Sequence, residues 1–130
     1  MKFTLKENGV RTELDYGQLN ISGNEEFGYR PYQLMVASIV GCSSSVFMKI
    51  MEKQRTEIHD LQVDAKVWRN EKEANRIEKI QLNFMIKGKQ LDPDKLYKNL
   101  EISRKNCSMV RSVEDSIEIE ENLEIVPLTM

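Results

Sequence analysis

The run Pro31-Tyr32-Gln33-Leu34-Met35-Val36-Ala37-Ser38-Ile39-Val40-Gly41-Cys42-Ser43-Ser44-Ser45-Val46-Phe47-Met48-Lys49-Ile50-Met51 decides the fold. Pro31 suits the first position of a helix, where its missing N–H would have no partner anyway, and the apolar residues that follow keep helical spacing. The first half is apolar nearly all round, which predicts burial on every side. The second half turns Lys49, Glu52, Lys53 and Arg55 to water. From Pro31 to Gln54 such a helix spans about 36 Å at 1.5 Å per residue, roughly the width of a small domain, so it is expected to run through the centre.

The flanks read as strands. Phe3 and Leu5 alternate with Lys2, Thr4 and Lys6, Asn8-Gly9 signals a hairpin turn, and Val10–Tyr16 and Gln18–Ile21 continue a small antiparallel meander punctuated by Gly9, Gly17, Gly23 and Gly28. Beyond the helix, Leu61–Trp68 alternates, and Ile77–Lys87 sets Ile80, Leu82, Phe84 and Ile86 on one face. The charged stretch Asn70–Asn75 joins these two strands into a pair with one wet face. Asp92-Pro93 caps a second helix with Leu96, Tyr97 and Leu100 turned inward and Lys105 in its last turn. After Cys107 a short turn leads to a last strand, Ser116–Ile125, in which Ile117, Ile119 and Ile125 alternate with Glu118, Glu120 and Glu124. Strands, long helix, strands, helix, strand is an α+β order.

A chain of 130 residues makes a single domain, 1–130, with room for a real core. Nineteen Lys and Arg against 21 Asp and Glu leave a formal charge of -2, so no broad basic field exists to hold a polyphosphate backbone, and no nucleic acid partner is expected. Met1 to Glu7 lacks an apolar stretch of signal-peptide length, and the longest unbroken apolar run, Leu34–Val40, is far below the ~20 residues that span a bilayer. The expectation is a cytoplasmic protein with no membrane partner.

Only two cysteines are present, Cys42 within the central helix and Cys107 just past the second. A thiol set among Gly41 and Ser43-Ser44-Ser45 is an odd choice for core packing, because Val or Ala fills such a space without inviting oxidation. Gly41 costs about 1 kcal/mol against Ala in a helix interior, which points to close approach there by a second backbone, a ligand, or a helix crossing inside the chain. In a reducing compartment the two thiols read as a transient or catalytic couple, against the plain alternative of two inert buried residues. To act as a nucleophile Cys42 must be a thiolate, with Arg11, Arg30 and Arg111 as candidate guanidinium neighbours. A sulfenic acid formed on Cys42 would have Cys107 as the only thiol able to resolve it.

No phosphate-cradling Gly loop and no clustered metal ligands occur, so no cofactor is expected. Cys42, Cys107 and His59 fall short of a zinc site. His59, in the polar link Glu57-Ile58-His59-Asp60, reads as a solvated surface residue rather than the base of a Cys-His hydrolase. Met35, Met48, Met51 and Phe47 neighbour Cys42 by helical spacing; a pocket opening there would be soft and apolar, suited to an alkyl or aromatic hydroperoxide.

Pro31 through Gly41-Cys42, together with Cys107-Ser108-Met109-Val110-Arg111-Ser112-Val113, resembles the OsmC/Ohr family of osmotically inducible and organic hydroperoxide resistance proteins. The resemblance covers nearly the whole chain. It implies curved antiparallel sheets around a long central helix, assembled as an intertwined homodimer with the active sites at the subunit interface. It implies stress-response peroxidase chemistry on organic hydroperoxides, with Cys42 as the peroxidatic residue and Cys107 as the resolving one. Arg11 falls after the first hairpin turn, where the Ohr branch keeps its arginine, and an external dithiol such as a lipoylated protein is the implied reductant. This chain departs from the pattern at Tyr32 and Gln33, where a Glu is common, and at Ser108, where Pro is usual. Those departures motivate a second reading, an OsmC-like dimer that binds a small apolar ligand or serves as a thiol redox sensor.

Overall fold

The computed structural model describes residues 1–127, and the chain divides into two compact units, Met1–Ala37 and Ser38–Met130. The first holds the strands β1 (Phe3–Lys6), β2 (Gly9–Glu13) and β3 (Gln18–Ile21), an antiparallel meander in that order, and the opening turns of helix α1 (Pro31–Lys53). The hairpin turn sits one residue earlier than its Asn-Gly signal suggests. Lys6 pairs with Gly9, so Glu7 and Asn8 form the turn, Asn8 with a φ of 56°. Gly9 is needed for a different reason, since a Cβ there would lie 2.1 Å from the Ile21 carbonyl oxygen.

The second unit carries the rest of α1, then β4 (Asp60–Asn70), a 3-10 turn at Glu71–Glu73, β5 (Arg76–Lys87), helices α2 (Pro93–Asn106) and α3 (Ser108–Val113), and β6 (Glu118–Val126). The sheet order is β4-β5-β6. Residues Leu61, Val63, Ala65 and Val67 of β4 pair with Ile86, Phe84, Leu82 and Ile80 of β5, so period-two alternation puts all eight on one face. That face is the core side: Ile80, Leu82, Phe84 and Ile86 are fully buried, and Phe47 of α1 meets Phe84 with ring centroids 5.8 Å apart. Leu96 and Leu100 of α2 and Val110 of α3 complete the core. On the opposite, wet face, Gln81 donates to Glu120 at 2.8 Å and Lys79 pairs with Glu120 at 3.3 Å, cross-strand contacts of a solvated ladder.

Two expectations change here. The sheet is mixed rather than wholly antiparallel, because β6 runs parallel to β5. A parallel return needs a long crossover, and α2 with α3 supplies it. Burial of α1 is also one-sided. Val36, Ile39, Ser43, Phe47 and Met51 are buried, whereas Ala37, Ser38, Gly41, Ser45 and Met48 are exposed. By length and composition α1 could cross a membrane, with a best-window mean hydropathy of 1.7 that counting unbroken apolar runs underrates. Central helices of folded domains pass the same test, and only 28% of that window is buried in this chain.

Candidate active site

The site forms where α1 meets the junction of α2 and α3. Asp92 caps α2 by accepting from the Asp94 N–H at 3.1 Å, Pro93 takes the first helical position, and the helix ends at Cys107, whose backbone turns extended. Cys107 is also the N-cap of α3. A cap is ordinarily an oxygen side chain that accepts from the first free N–H groups of a helix. Cys107 makes no such side-chain cap bond, and the first N–H groups of α3 lie near the two sulfurs and favour their ionised forms.

The donors favour the thiolate at both sulfurs, but the two thiols shift in opposite senses because burial dominates at only one of them. The Met109 N–H does most to hold the Cys42 thiol below its ordinary pKa; the Cys107 side chain adds to it, burial works against it, and the Ser108 hydroxyl and N–H assist. The Cys42 sulfur lies 3.6 Å from the Ser108 hydroxyl oxygen. Cys107 is fully buried, and burial is the main reason its thiol is pushed above its ordinary pKa. The Val110 and Met109 N–H groups oppose that rise, while the neighbouring Cys42 adds to it. Both cysteines are free thiols. A half-buried sulfur with its acidity raised thus stands beside a buried one with its acidity lowered.

The structure brings the two cysteines together, a proximity their sequence positions leave open. The arginines have other partners: Arg11, on β2, donates through Nε to Asn20 at 2.7 Å, Arg30 lies over the Tyr32 ring at 4.8 Å, and Arg111 pairs with Glu114 at 3.3 Å. The methionine cluster divides, with Phe47 and Met51 in the core and Met35 and Met48 exposed. His59 is exposed in the link between α1 and β4. Among the described residues Gly41 serves no close crossing, because a Cβ there would meet nothing within 4 Å.

Sequence reasoning missed the helix that supplies the donors. Ser108–Val113 is a single short helix, and six residues of Ser-Met-Val-Arg-Ser-Val are too few to show a period. It also missed Glu121. That residue shares the core-facing side of β6 with Ile119 and Leu123, and its register partner on β5 is the buried Leu82. Both carboxyl oxygens are buried without a hydrogen bond among the described residues, as is the nearby Ser43 hydroxyl. Burial raises the Glu121 pKa, partly offset by the charge of Arg104 and by Ser43. Strict alternation from Ile119 would have found it.

A half-exposed thiol primed by main-chain donors beside a buried thiol, carried on a long helix over a three-stranded sheet, defines a class of small two-thiol α+β proteins. The OsmC-like protein family model matches residues 22–122, and the chain belongs to that family. Protein YhfA of Escherichia coli strain K12 is 25% identical over 97 residues, covering 74% of this chain and 72% of that one. A hypothetical protein from Aquifex aeolicus VF5 has the same fold, with a TM-score of 0.87 at 23% identity over 98% of this chain and 96% of that one. The organic hydroperoxide resistance protein OhrB of Bacillus subtilis is likewise similar in fold, with a TM-score of 0.64 at 17% identity over 95% and 96% of the two chains.

Proposed function

We propose that this protein is a thiol-dependent peroxidase that reduces organic hydroperoxides. The observation that carries the reading is the pairing of Cys42, held below its ordinary pKa, with the buried Cys107, held above it. The Cys42 thiolate attacks one peroxide oxygen. An S–O bond forms, the O–O bond breaks, and the departing alkoxide takes a proton to leave as the alcohol. Cys107 then attacks the sulfenic sulfur, forming the disulfide and releasing water, and an external dithiol restores both thiols with two electrons. Arg11 is carried as the guanidinium that assists Cys42, and loss of rate in Arg11→Ala tests it.

Treating the reduced protein with one equivalent of cumene hydroperoxide tests the main reading. The expected result is an intact mass lower by two hydrogens and no thiol left to alkylate, both abolished by Cys42→Ser or Cys107→Ser. An unchanged mass with two alkylatable thiols would overturn it and favour the ligand-binding reading.

The working form in this reading is a homodimer in a reducing, cytoplasmic setting. Ser38, Gly41, Ser45 and Met48 recur at helical spacing along one exposed side of α1, and Gly41 forgoes helix propensity where, among the described residues, a Cβ would meet nothing within 4 Å. Small residues at that spacing let a second copy of the helix come close. Light scattering of Gly41→Leu, expected at half the mass of the parent protein, tests this; a monomeric parent would refute it.

A further inference from the structure

We propose that Ser108 is a catalytic residue of this site: its hydroxyl donates a hydrogen bond to the Cys42 sulfur and holds it as the attacking thiolate. For its part in turnover this rests on the peroxidase reading. The geometry is direct, with the Ser108 oxygen 3.6 Å from the Cys42 sulfur, within range for a bond to that large, soft acceptor. Among the described residues the hydroxyl has no other hydrogen-bond partner, so its proton is free to turn toward the sulfur once that sulfur is ionised.

Residue 108 opens α3, and the helical geometry explains what a serine accomplishes there. Residue 108 is the first of α3, a place whose φ Pro adopts without cost but where Pro brings neither an N–H nor a hydroxyl. Serine keeps the helix start and adds two donors, and both bear on Cys42. The backbone beneath them is anchored, because Arg111 N–H donates to the Cys107 carbonyl at 3.0 Å and the Ser112 hydroxyl to the Ser108 carbonyl at 2.7 Å. The serine therefore presents its donors from a fixed turn. With Arg111 occupied by Glu114 and Arg11 by Asn20, neutral donors on α3 stand beside the sulfur itself.

The role is played before and during attack. With the Ser108 donor in place more of Cys42 is ionised at neutral pH, and the same bond is released as the S–O bond forms and the charge passes to the alkoxide. No electron passes through serine, so the overall balance is that of the peroxidase step.

The test is the pH dependence of Cys42 alkylation by iodoacetamide, read by peptide mass, beside hydroperoxide turnover in the same proteins. Ser108 is exposed, so Ser108→Ala leaves the core untouched. Its midpoint is expected at higher pH, with about tenfold less thiolate at pH 6, the scale of one hydrogen bond to a charged group. Ser108→Thr should restore the parent profile, and Ser108→Pro should shift it at least as far as Ala. A Ser108→Ala profile that superposes on the parent's overturns the proposal. If the profile moves but the parent protein consumes no hydroperoxide, the peroxidase reading falls while the Ser108–thiolate bond stands. If the parent turns over and Ser108→Ala matches it in both profile and kcat/KM, Ser108 alone is refuted.

Discussion

Cys42 and Ser43 are neighbours on α1 that open into two contrasting polar sites. Toward α3, the Cys42 sulfur meets the Met109 and Ser108 donors and its acidity rises. Toward the sheet, the Ser43 hydroxyl and both Glu121 oxygens are buried without a hydrogen bond, and the carboxyl's acidity falls. Both places are removed from water to some degree, so burial alone does not set the direction of a shift. The balance between burial and donors does. Donors outweigh burial at the Cys42 thiol, and burial outweighs the help of Arg104 and Ser43 at the Glu121 carboxyl.

The largest effect expected on that contrast is at the donor-rich site. Cys42→Ser should abolish hydroperoxide consumption in a coupled dithiol assay, because an alcohol at the same point does not ionise near neutral pH. Cys107→Ser should retain a first burst and then stop, with Cys42 passing to the sulfinic state, seen as a mass gain of two oxygens. A Cys107→Ser protein that cycles at the parent rate would show that Cys107 is not the resolving thiol.

The two sites were not equally legible. The α1 residues announce themselves, since Pro31 and unbroken helical spacing leave only the end in question, and the helix stops at Lys53, one residue short of the expected Gln54. β4 and β5 are equally plain, because an edge of polar residues alternates with Ile80, Leu82, Phe84 and Ile86. What a residue pattern does not carry is which strands pair in which direction, so the parallel β5–β6 register was invisible. Apolarity all round α1 was read as burial all round, yet the side with Gly41 and Met48 faces outward in this chain. The cysteines were legible as a pair, but the opposite shifts in their acidity depend on burial and on N–H groups, which no side-chain pattern displays.

The donor-poor site is tested by pH. The raised carboxyl of Glu121 means that above about pH 4.5 the unfolded chain has released a proton that the native chain still holds. The native state then binds more protons, so stability falls as pH rises from there to the folded pKa and levels off beyond it. Glu121→Gln removes that slope and keeps the shape of the side chain. In urea titrations it should match the parent near pH 4 and exceed it by about 1 kcal/mol near pH 8, the usual scale for relieving an unsatisfied buried group. Parallel curves across that range would mean that Glu121 is paired in solution and that the contrast with Cys42 is weaker than drawn.

The smallest expected difference lies between two buried serines. The Ser103 hydroxyl donates to the Ser43 carbonyl at 3.0 Å, tying α2 to α1 one residue from the reactive thiol, whereas the Ser43 hydroxyl is unpartnered. Ser103→Ala should therefore cost about 1 kcal/mol and leave a buried carbonyl short of a donor, while Ser43→Ala should be neutral or slightly stabilising, since it removes a polar group that gains nothing in the fold. Chemical denaturation of the two variants at one pH measures the difference. If Ser43→Ala costs as much as Ser103→Ala, the Ser43 hydroxyl is bonded to Glu121, and that site has one donor more than the contrast allows.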